Sequence, residues 1–166
     1  MSQLVNSISN RLSLRDPQRE SLEILERVYQ LVDFGQATDL EQALRIIQAE
    51  FPTVEDFERE FPSLCFALAT GVGKTRLMGA FISCLHLLKG IRHFFVLAPN
   101  LTIYNKLIRD FTPNTPKYVL RGISEFATMP PLVITGDDYE DGRGTRSDLF
   151  DVGEVHINIF NISKIN

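Results

Sequence analysis

A glycine-rich turn that ends in a lysine and a threonine occupies residues 69–75, with the sequence Ala-Thr-Gly-Val-Gly-Lys-Thr. Gly71 and Gly73 allow the backbone to bend so that successive N–H groups point at the oxygens of a phosphate. Lys74 would reach the β and γ phosphates of a nucleotide, and the hydroxyl of Thr75 would coordinate Mg²⁺. The pattern therefore predicts a phosphate-binding loop (P-loop). The alternative is a glycine turn before an ordinary helix, with Lys74 merely solvated.

The segments on either side of this loop are the ones that the motif requires. An apolar run over residues 64–68 precedes it and predicts a buried parallel strand. Apolar residues recur at helical spacing through residues 76–89, and the start of that helix would add partial positive charge. Leu68 stands where the general pattern has its first glycine, so the general consensus is only partly met.

Length and composition predict one domain without a membrane or secretory segment. The 166 residues, 44% of them hydrophobic, suffice for a core. No apolar run approaches the ~20 residues that span a bilayer. The N-terminus has no signal-peptide pattern, so we expect a cytoplasmic protein. The net charge of −4 argues against a dedicated nucleic-acid-binding module, but not against a motor that holds DNA through a few backbone contacts.

The cysteines and histidines do not predict a metal site. Cys65 and Cys84 fall in the predicted strand and the following helix, and both are expected to be buried thiols. The histidines are scattered along the chain, and structural roles are the favoured interpretation for His93 and His156, which open predicted strands.

The first third of the chain predicts helices. Residues 1–12 carry no strong pattern and are expected to fray. Asp16 followed by proline predicts the N-cap of a first helix, which Gly35 ends. A capping box at residues 38–41 predicts a second helix, and residues 53–61 predict a short third one.

From residue 64 onward, predicted strands and helices alternate. Besides the strand before the P-loop, four further strands are predicted, at residues 93–98, 117–120, 131–135 and 155–160. Asn100 is expected to cap an intervening helix, and the acidic, glycine-rich residues 137–153 to form a loop. The alternation predicts an α/β fold with a mostly parallel sheet, preceded by a helical N-terminal segment, and a division into residues 1–62 and 63–166.

Three motifs together resemble the first motor domain of superfamily 2 helicases and translocases, and more narrowly the Res subunit of type III restriction enzymes. Residues 14–22 resemble the family's adenine-reading motif, with Gln18 as its glutamine. Residues 69–75 resemble motif I, and residues 96–102 resemble motif Ia, which holds the nucleic-acid backbone. The resemblance implies a partial RecA-like P-loop NTPase domain, and it covers about residues 14–110.

The resemblance also implies roles for individual residues. Lys74 and Thr75 are the predicted catalytic residues, with Thr75 as the Mg²⁺ ligand. The predicted ATP-binding residues are Gln18, Thr70, Gly71, Val72, Gly73, Lys74, Thr75 and Arg76. Asn100 and Thr102 are predicted to contact the DNA backbone, although plain helix capping explains Asn100 and Thr102 equally well. Gln18 could likewise be an exposed polar residue in the first turn of a helix.

One part of the family pattern is missing from the sequence. Superfamily 2 motors hydrolyse ATP with an Asp-Glu pair at the end of a strand, and no such pair follows an apolar strand here. The second motor domain and any nuclease motif are missing as well. We therefore expect a fragment that is inactive alone and leaves an apolar sheet edge uncovered.

The predicted function is the ATP-binding part of a DNA-dependent ATPase of a type III restriction-like Res protein. Expected cofactors are ATP and Mg²⁺. Expected partners are double-stranded DNA and a modification (methyltransferase) subunit, and no interaction with a membrane is expected. A non-catalytic nucleotide-binding or assembly module is the alternative, and a P-loop kinase or small NTPase unrelated to DNA is a third hypothesis. DNA-stimulated ATP turnover separates the first hypothesis from the other two.

Overall fold

The structure, a computed structural model, describes residues 2–35, 38–140 and 153–162. From residue 74 onward its elements alternate between helices and strands, except that two helices follow one another between the first two strands. The helices are α1 (Gln3–Arg11), α2 (Asp16–Leu31), α3 (Leu40–Glu50), α4 (Lys74–Lys89), α5 (Leu101–Phe111), α6 (Ser124–Thr128) and α7 (Gly136–Glu140). The strands are β1 (His93–Ala98), β2 (Leu132–Thr135) and β3 (His156–Asn161). No helix in these ranges is both long enough and apolar enough to cross a membrane.

The three described strands form one parallel sheet in the order β1-β3-β2, so the strand that comes last in sequence is central. β1 pairs with β3 from His93↔His156 to Ala98↔Asn161, and β2 pairs with β3 from Leu132↔His156 to Thr135↔Ile159. This confirms the predicted α/β class, and three of the predicted strands are present within one residue of their expected bounds.

One face of the sheet is covered and the other is largely open. Ile157 and Ile159 of β3 are buried in the main hydrophobic core together with Tyr104, Leu107 and Phe111 of α5. On the opposite face, Phe95 and Leu97 of β1 and Leu132 of β2 are exposed. Parallel sheets in α/β proteins normally have both faces covered, so this open apolar face is unusual.

The N-terminal residues form a helix, and the prediction that they fray is wrong. Ser2 caps α1 by accepting a hydrogen bond from the backbone N–H of Val5 at 3.1 Å. Val5 and Ile8 are buried in the same core as the sheet, and the Arg11 side chain donates to the carbonyl oxygen of Gly122 at 3.3 Å. In the sequence, this helix is indicated by Ser2, a good N-cap residue, and by the apolar Val5 and Ile8, which are three residues apart and so lie on one helical face.

The next two helices are confirmed, but each cap lies one residue away from its predicted position. Arg15 occupies the N-cap position of α2, and Asp39 caps α3 by accepting from the backbone N–H of Gln42 at 3.0 Å. A second hydrophobic cluster lies between these helices; its buried members are Val28, Val32, Ala43, Ile47 and Phe57. The predicted division of the chain after residue 62 stays a prediction.

Three local predictions are wrong. Residues 53–61 form turns rather than a helix; Asp56 accepts from the backbone N–H of Glu58, whose φ of 52° breaks a helix. Residues 117–120 form a turn, in which the backbone N–H of Val119 donates to the carbonyl oxygen of Asp110 at 2.9 Å. In the predicted loop, Gly136–Glu140 is the short helix α7, whereas residues 141–152 lie outside the described residues.

The segment before the P-loop is not a strand either. Residues 64–68 have no sheet partner among the described strands, and they are half-buried or exposed rather than buried. Cys65 is exposed, which corrects its predicted burial, whereas Cys84 in α4 is buried as expected. Phe66 anchors the segment through an edge contact with Phe81 of α4, with ring centroids 4.8 Å apart. Burial of an apolar segment depends on neighbours that its own sequence does not specify.

Candidate functional site

The backbone of residues 70–74 has the conformation that a phosphate-binding turn requires. Gly71 has a φ of 82° and Gly73 a φ of 94°, values that side-chain-bearing residues rarely adopt. Gly73 is the N-cap of α4, and no side chain caps the helix there. The first N–H groups of α4, which begins at Lys74, therefore stay available to an anion.

The side chains of this turn are accessible. Lys74 is exposed and donates from Nζ to the carbonyl oxygen of Ala69 at 3.0 Å, so its side chain folds back across the loop. Thr70 is exposed, and Val72 is half-buried on the wall of the neighbouring cavity. Among the described residues, this carbonyl is the one hydrogen-bond partner of the Lys74 side chain. A lysine so held can turn toward a phosphate, which offers a stronger, charge-assisted hydrogen bond.

Thr75 contacts a lysine on a different helix. Its hydroxyl oxygen accepts a hydrogen bond from Nζ of Lys106 in α5 at 2.9 Å, and the same ammonium forms an ion pair with Asp110 one turn further along. Asp110 is only 4% exposed. Its second carboxylate oxygen, Oδ1, is buried and has no hydrogen-bond partner among the described residues.

Gln18 connects α2 to the P-loop. It is only 1% exposed; its Oε1 accepts from the backbone N–H of Arg15 at 2.8 Å, and its Nε2 donates to the carbonyl oxygen of Gly73 at 2.9 Å. A Cβ atom at position 73 would lie 2.8 Å from the Gln18 Nε2. The φ of Gly73 therefore favours glycine at this position, and a larger residue would also displace the Gln18 amide.

A cavity of about 380 Å³ opens beside Thr75, and cationic side chains dominate its wall. Its wall includes Arg15, Arg76, Lys106 and Lys117, and Asp110 is the one carboxylate among the described residues that line it. Arg15 also donates to the carbonyl oxygen of Gly71 at 3.2 Å, which places a guanidinium against the turn. A concave, net positive surface of this kind attracts a polyphosphate.

A larger cavity of about 710 Å³ lies on the other side of the turn, between α2, α3 and the segment before the P-loop. It reaches the turn at Ala69 and Val72, but neither Lys74 nor Thr75 lines it. Its size therefore does not make it the phosphate site, because Thr75, the proposed metal ligand, lines the smaller, cationic cavity together with Gly73 and Arg76.

Asn100 and Thr102 lie at the carboxyl end of β1, where α5 begins. The side-chain oxygen of Asn100 accepts from the backbone N–H of Ile103 at 3.0 Å, which makes Asn100 the N-cap of α5. Both Asn100 and Thr102 are exposed. The structure thus brings these two residues together, and the α5 helix that they open also carries Lys106 to Thr75.

No cysteine or histidine cluster competes with this site. The described residues contain no group of three or more His, Cys, Asp or Glu side chains that could hold a metal. Burial raises the pKa of the Cys84 thiol to about 12, so Cys84 stays protonated and is a poor nucleophile at neutral pH.

Sequence reasoning missed three contributors to the site: Arg15, Lys106 and Asp110. Lys106 and Asp110 are four residues apart on one helix, a spacing that favours an ion pair, and that spacing was the available signal. Their proximity to Thr75 depends on how α5 packs against α4, which no local pattern specifies.

The residues present fit a nucleotide with Mg²⁺. The uncapped N–H groups of α4 and the open space beside Gly71, where an added Cβ would meet nothing within 4 Å, leave room for phosphate oxygens near the backbone. The Thr75 hydroxyl is a hard oxygen ligand of the kind that Mg²⁺ prefers. Near it lies the buried Asp110 carboxylate, whose Oδ1 accepts no hydrogen bond from the described residues and is 3.9 Å from Nε of Arg109.

A comparison with models of protein families finds one match. The model described as "Type III restriction enzyme, res subunit" matches residues 11–166. No curated protein matches the chain, and no solved structure does. The matched range includes the P-loop, the cationic cavity and all three strands of the described sheet.

Proposed function

Because this chain belongs to the family of type III restriction enzyme Res subunits, we propose that it is the ATP-binding part of a DNA-dependent ATPase that moves on or remodels duplex DNA. In this proposal the phosphates of ATP lie on residues 70–76, at the N-terminus of α4. The modification (methyltransferase) subunit is the proposed protein partner, and the cytoplasm is the proposed location.

The observation that carries this proposal is the turn between Gly71 and Thr75, which opens on the cationic cavity. Lys74 would bind the β and γ phosphates, Thr75 would hold Mg²⁺, and the backbone N–H groups around Gly73 would bind phosphate oxygens. Thr70, Val72 and Arg76 complete the proposed ATP-binding set. When bound, Mg²⁺ would neutralise charge on the phosphates and orient them for transfer.

We propose that Asn100 and Thr102 contact the DNA backbone. Both are exposed at the carboxyl end of a parallel strand, beside the N-terminus of α5, where side-chain donors and helix amides can hold a phosphate. A few such contacts do not require a basic protein, which agrees with the net charge of −4.

Adenine recognition by Gln18 stays a prediction, and it requires the amide of Gln18 to become accessible to the base. In the described conformation, both ends of the amide bond to backbone groups of Arg15 and Gly73. A primary amide has a second N–H and a second lone pair, which an adenine edge could use. Since Gln18 is buried, that use requires the start of α2 to move relative to the P-loop.

A second candidate function is a non-catalytic nucleotide-binding or assembly module. One observation favours it: none of the described strands ends in an Asp-Glu pair, and Asp110 is the one carboxylate on the wall of the cationic cavity. A single carboxylate already paired with Lys106 is poorly placed to activate water. On this alternative, the chain binds Mg-ATP but does not turn it over.

The deciding experiment measures ATP binding by calorimetry, and ATP hydrolysis with and without duplex DNA. The same measurements are made on Lys74→Ala, and on Lys89→Ala as a control at the other end of the α4 helix. We expect Lys74→Ala to weaken Mg-ATP binding by at least about tenfold, because it removes a charge-assisted contact. Lys89→Ala should bind as the unaltered chain does.

Hydrolysis then separates the two candidates. Turnover that DNA stimulates and Lys74→Ala abolishes would identify a working motor and contradict the expectation that the chain is inactive alone. Binding without turnover would support the module. Equal ATP binding by Lys74→Ala and the unaltered chain would refute the proposed phosphate site.

A further inference from the structure

The hydroxyl of Thr75 already has a cationic partner within the protein. Nζ of Lys106 donates to Thr75 Oγ1 at 2.9 Å and is paired with Asp110, so one ammonium joins a P-loop side chain to a buried carboxylate. Lys106 lies on α5 and Thr75 on α4, and their contact spans the cationic cavity. This arrangement places a positive charge beside the oxygen to which the proposed function assigns Mg²⁺.

Two cations cannot share this position. The hydroxyl has two lone pairs, of which the ammonium uses one; a metal ion on the other would bring two further positive charges into direct contact with the ammonium. In a partly buried cavity, repulsion between the metal and the ammonium is only weakly screened. Coordination of Mg²⁺ by Thr75 therefore requires Lys106 to withdraw.

The surroundings of Lys106 allow that withdrawal. Its partner Asp110 is held in α5 and remains available to the ammonium, so Lys106 can release Thr75 and keep its ion pair. Oδ1 of Asp110, which is buried and has no hydrogen-bond partner in the described part of the chain, can then accept from the displaced ammonium or from water.

We propose that Lys106 is a positioning residue that acts as an internal competitor of Mg²⁺ at Thr75 and so sets the Mg²⁺ concentration at which the chain binds ATP. This inference rests on the proposed function. It predicts that the Lys106 ammonium leaves Thr75 when Mg-ATP binds, and that removal of the ammonium makes Thr75 easier for Mg²⁺ to reach.

The test measures the Mg²⁺ requirement of ATP binding rather than turnover. Each protein is mixed with ATP that carries a fluorescent methylanthraniloyl group on its ribose, and Mg²⁺ is titrated while fluorescence anisotropy is read. The proteins are the unaltered chain, Lys106→Met and Lys117→Met. Lys117 is an exposed lysine that lines the same cavity and makes no hydrogen bond to Thr75 in the described ranges. It therefore controls for the loss of one positive charge.

We expect Lys106→Met to lower the Mg²⁺ concentration for half-maximal binding by about tenfold, the equivalent of one charge-assisted hydrogen bond. Lys117→Met should change it by less than about twofold, because it removes charge but no bond to Thr75. An equal decrease in both variants, or no decrease in Lys106→Met, would overturn the proposal.

A double variant separates competition between Lys106 and Mg²⁺ from attraction of Mg²⁺ by the Asp110 carboxylate. Lys106→Met leaves the buried Asp110 carboxylate with only the longer contact to Nε of Arg109 at 3.9 Å, which would weaken the fold and would itself attract Mg²⁺. Lys106→Met combined with Asp110→Asn removes that carboxylate charge as well, and thermal melting checks that each variant is folded. The decrease in Mg²⁺ requirement should persist in the double variant. If it disappears there, attraction by Asp110 explains the effect and the competition is refuted.

Failure of the proposed function gives a different result. If the unaltered chain does not bind the labelled ATP at any Mg²⁺ concentration, the ATP site itself is wrong, and the competition falls with it. If the unaltered chain binds ATP with an Mg²⁺ requirement that Lys106→Met does not alter, only the competition is wrong.

Discussion

The amide of Gln18 shows how one side chain can support two interpretations. It bonds to the backbone of Arg15 and of Gly73, and it lies so close to Gly73 that a Cβ atom there would collide with it. This contact is a structural link between α2 and the P-loop, and it exists whatever base the nucleotide carries. Nucleotide selectivity is therefore the property that separates the link from adenine recognition.

Gln18→Ala should lower the free energy of unfolding by about 1–2 kcal/mol, because it removes a buried side chain and its two hydrogen bonds to the backbone of Arg15 and Gly73. If Gln18 also reads adenine, the preference for ATP over GTP should fall toward one in competition binding. Gln48→Ala is the matched control, since Gln48 also donates to two carbonyl oxygens, those of Val54 and Glu55, away from the P-loop. A stability loss with unchanged selectivity would leave Gln18 a purely structural link.

At the scale of elements, the α5 helix carries residues of two proposals, the DNA contact and the competition with Mg²⁺. Asn100 caps its first turn and is the proposed DNA contact, while Lys106 in its middle contacts Thr75. The capping role is visible in the structure and the DNA role is not, so a variant that keeps one and removes the other is needed.

Asn100→Asp keeps a good N-cap oxygen but adds a negative charge that repels a DNA phosphate, whereas Asn100→Ala removes the cap and costs about 1 kcal/mol of stability. We expect Asn100→Asp to fold as stably as the unaltered chain and to bind duplex DNA more weakly. Denaturant unfolding and DNA binding at fixed salt measure the two effects. Asp39→Ala, which removes the cap of α3, should lose stability alone. Unchanged DNA binding by Asn100→Asp would exclude the contact.

Elements with a strong local signal were predicted well from sequence, and elements that depend on neighbours were not. The strands β1, β2 and β3 are short apolar runs bounded by turn residues, and Gly90 ends α4 with a φ of 68°, as a C-cap glycine does. Residues 64–68 carry an equally apolar run, yet form no strand because no described strand lies beside them. Propensity alone cannot supply a pairing partner.

The candidate site likewise contains residues that local sequence predicts and contacts that depend on tertiary structure. Lys74 and Thr75 follow from the order of residues in one turn, because a P-loop is local in sequence. The Lys106 contact with Thr75 joins residues 31 apart, and it depends on the packing of α5 against α4. A contact of that kind requires the tertiary structure, although the four-residue spacing of Lys106 and Asp110 hinted at an ion pair.

At the scale of the whole molecule, the open face of the sheet is the most consequential feature. Phe95 is 61% exposed and Leu97 is 45% exposed, and both lie on an edge strand of the described sheet. Apolar side chains next to an unpaired strand edge favour association with other chains. We therefore expect the chain to self-associate as its concentration rises.

Replacement of both Phe95 and Leu97 by Thr should reduce this association, because threonine suits a strand but is less apolar. Static light scattering over a range of concentrations measures the change, which we expect to be severalfold. Phe61→Thr is the control, since Phe61 is 59% exposed but lies outside the sheet. If Phe61→Thr reduces scattering as much as the double replacement, general hydrophobicity rather than the sheet face causes the association.

The strand order β1-β3-β2 also has a consequence for synthesis on the ribosome. In the described sheet, β1 and β2 do not pair with each other; each pairs only with β3, which is made after both of them. Both strands must therefore leave the exit tunnel without a hydrogen-bonding partner and wait until His156–Asn161 follows. A sheet that closes only when its central strand has been made keeps its two earlier apolar strands exposed during synthesis, and we expect such a nascent chain to bind chaperones that recognise extended apolar segments.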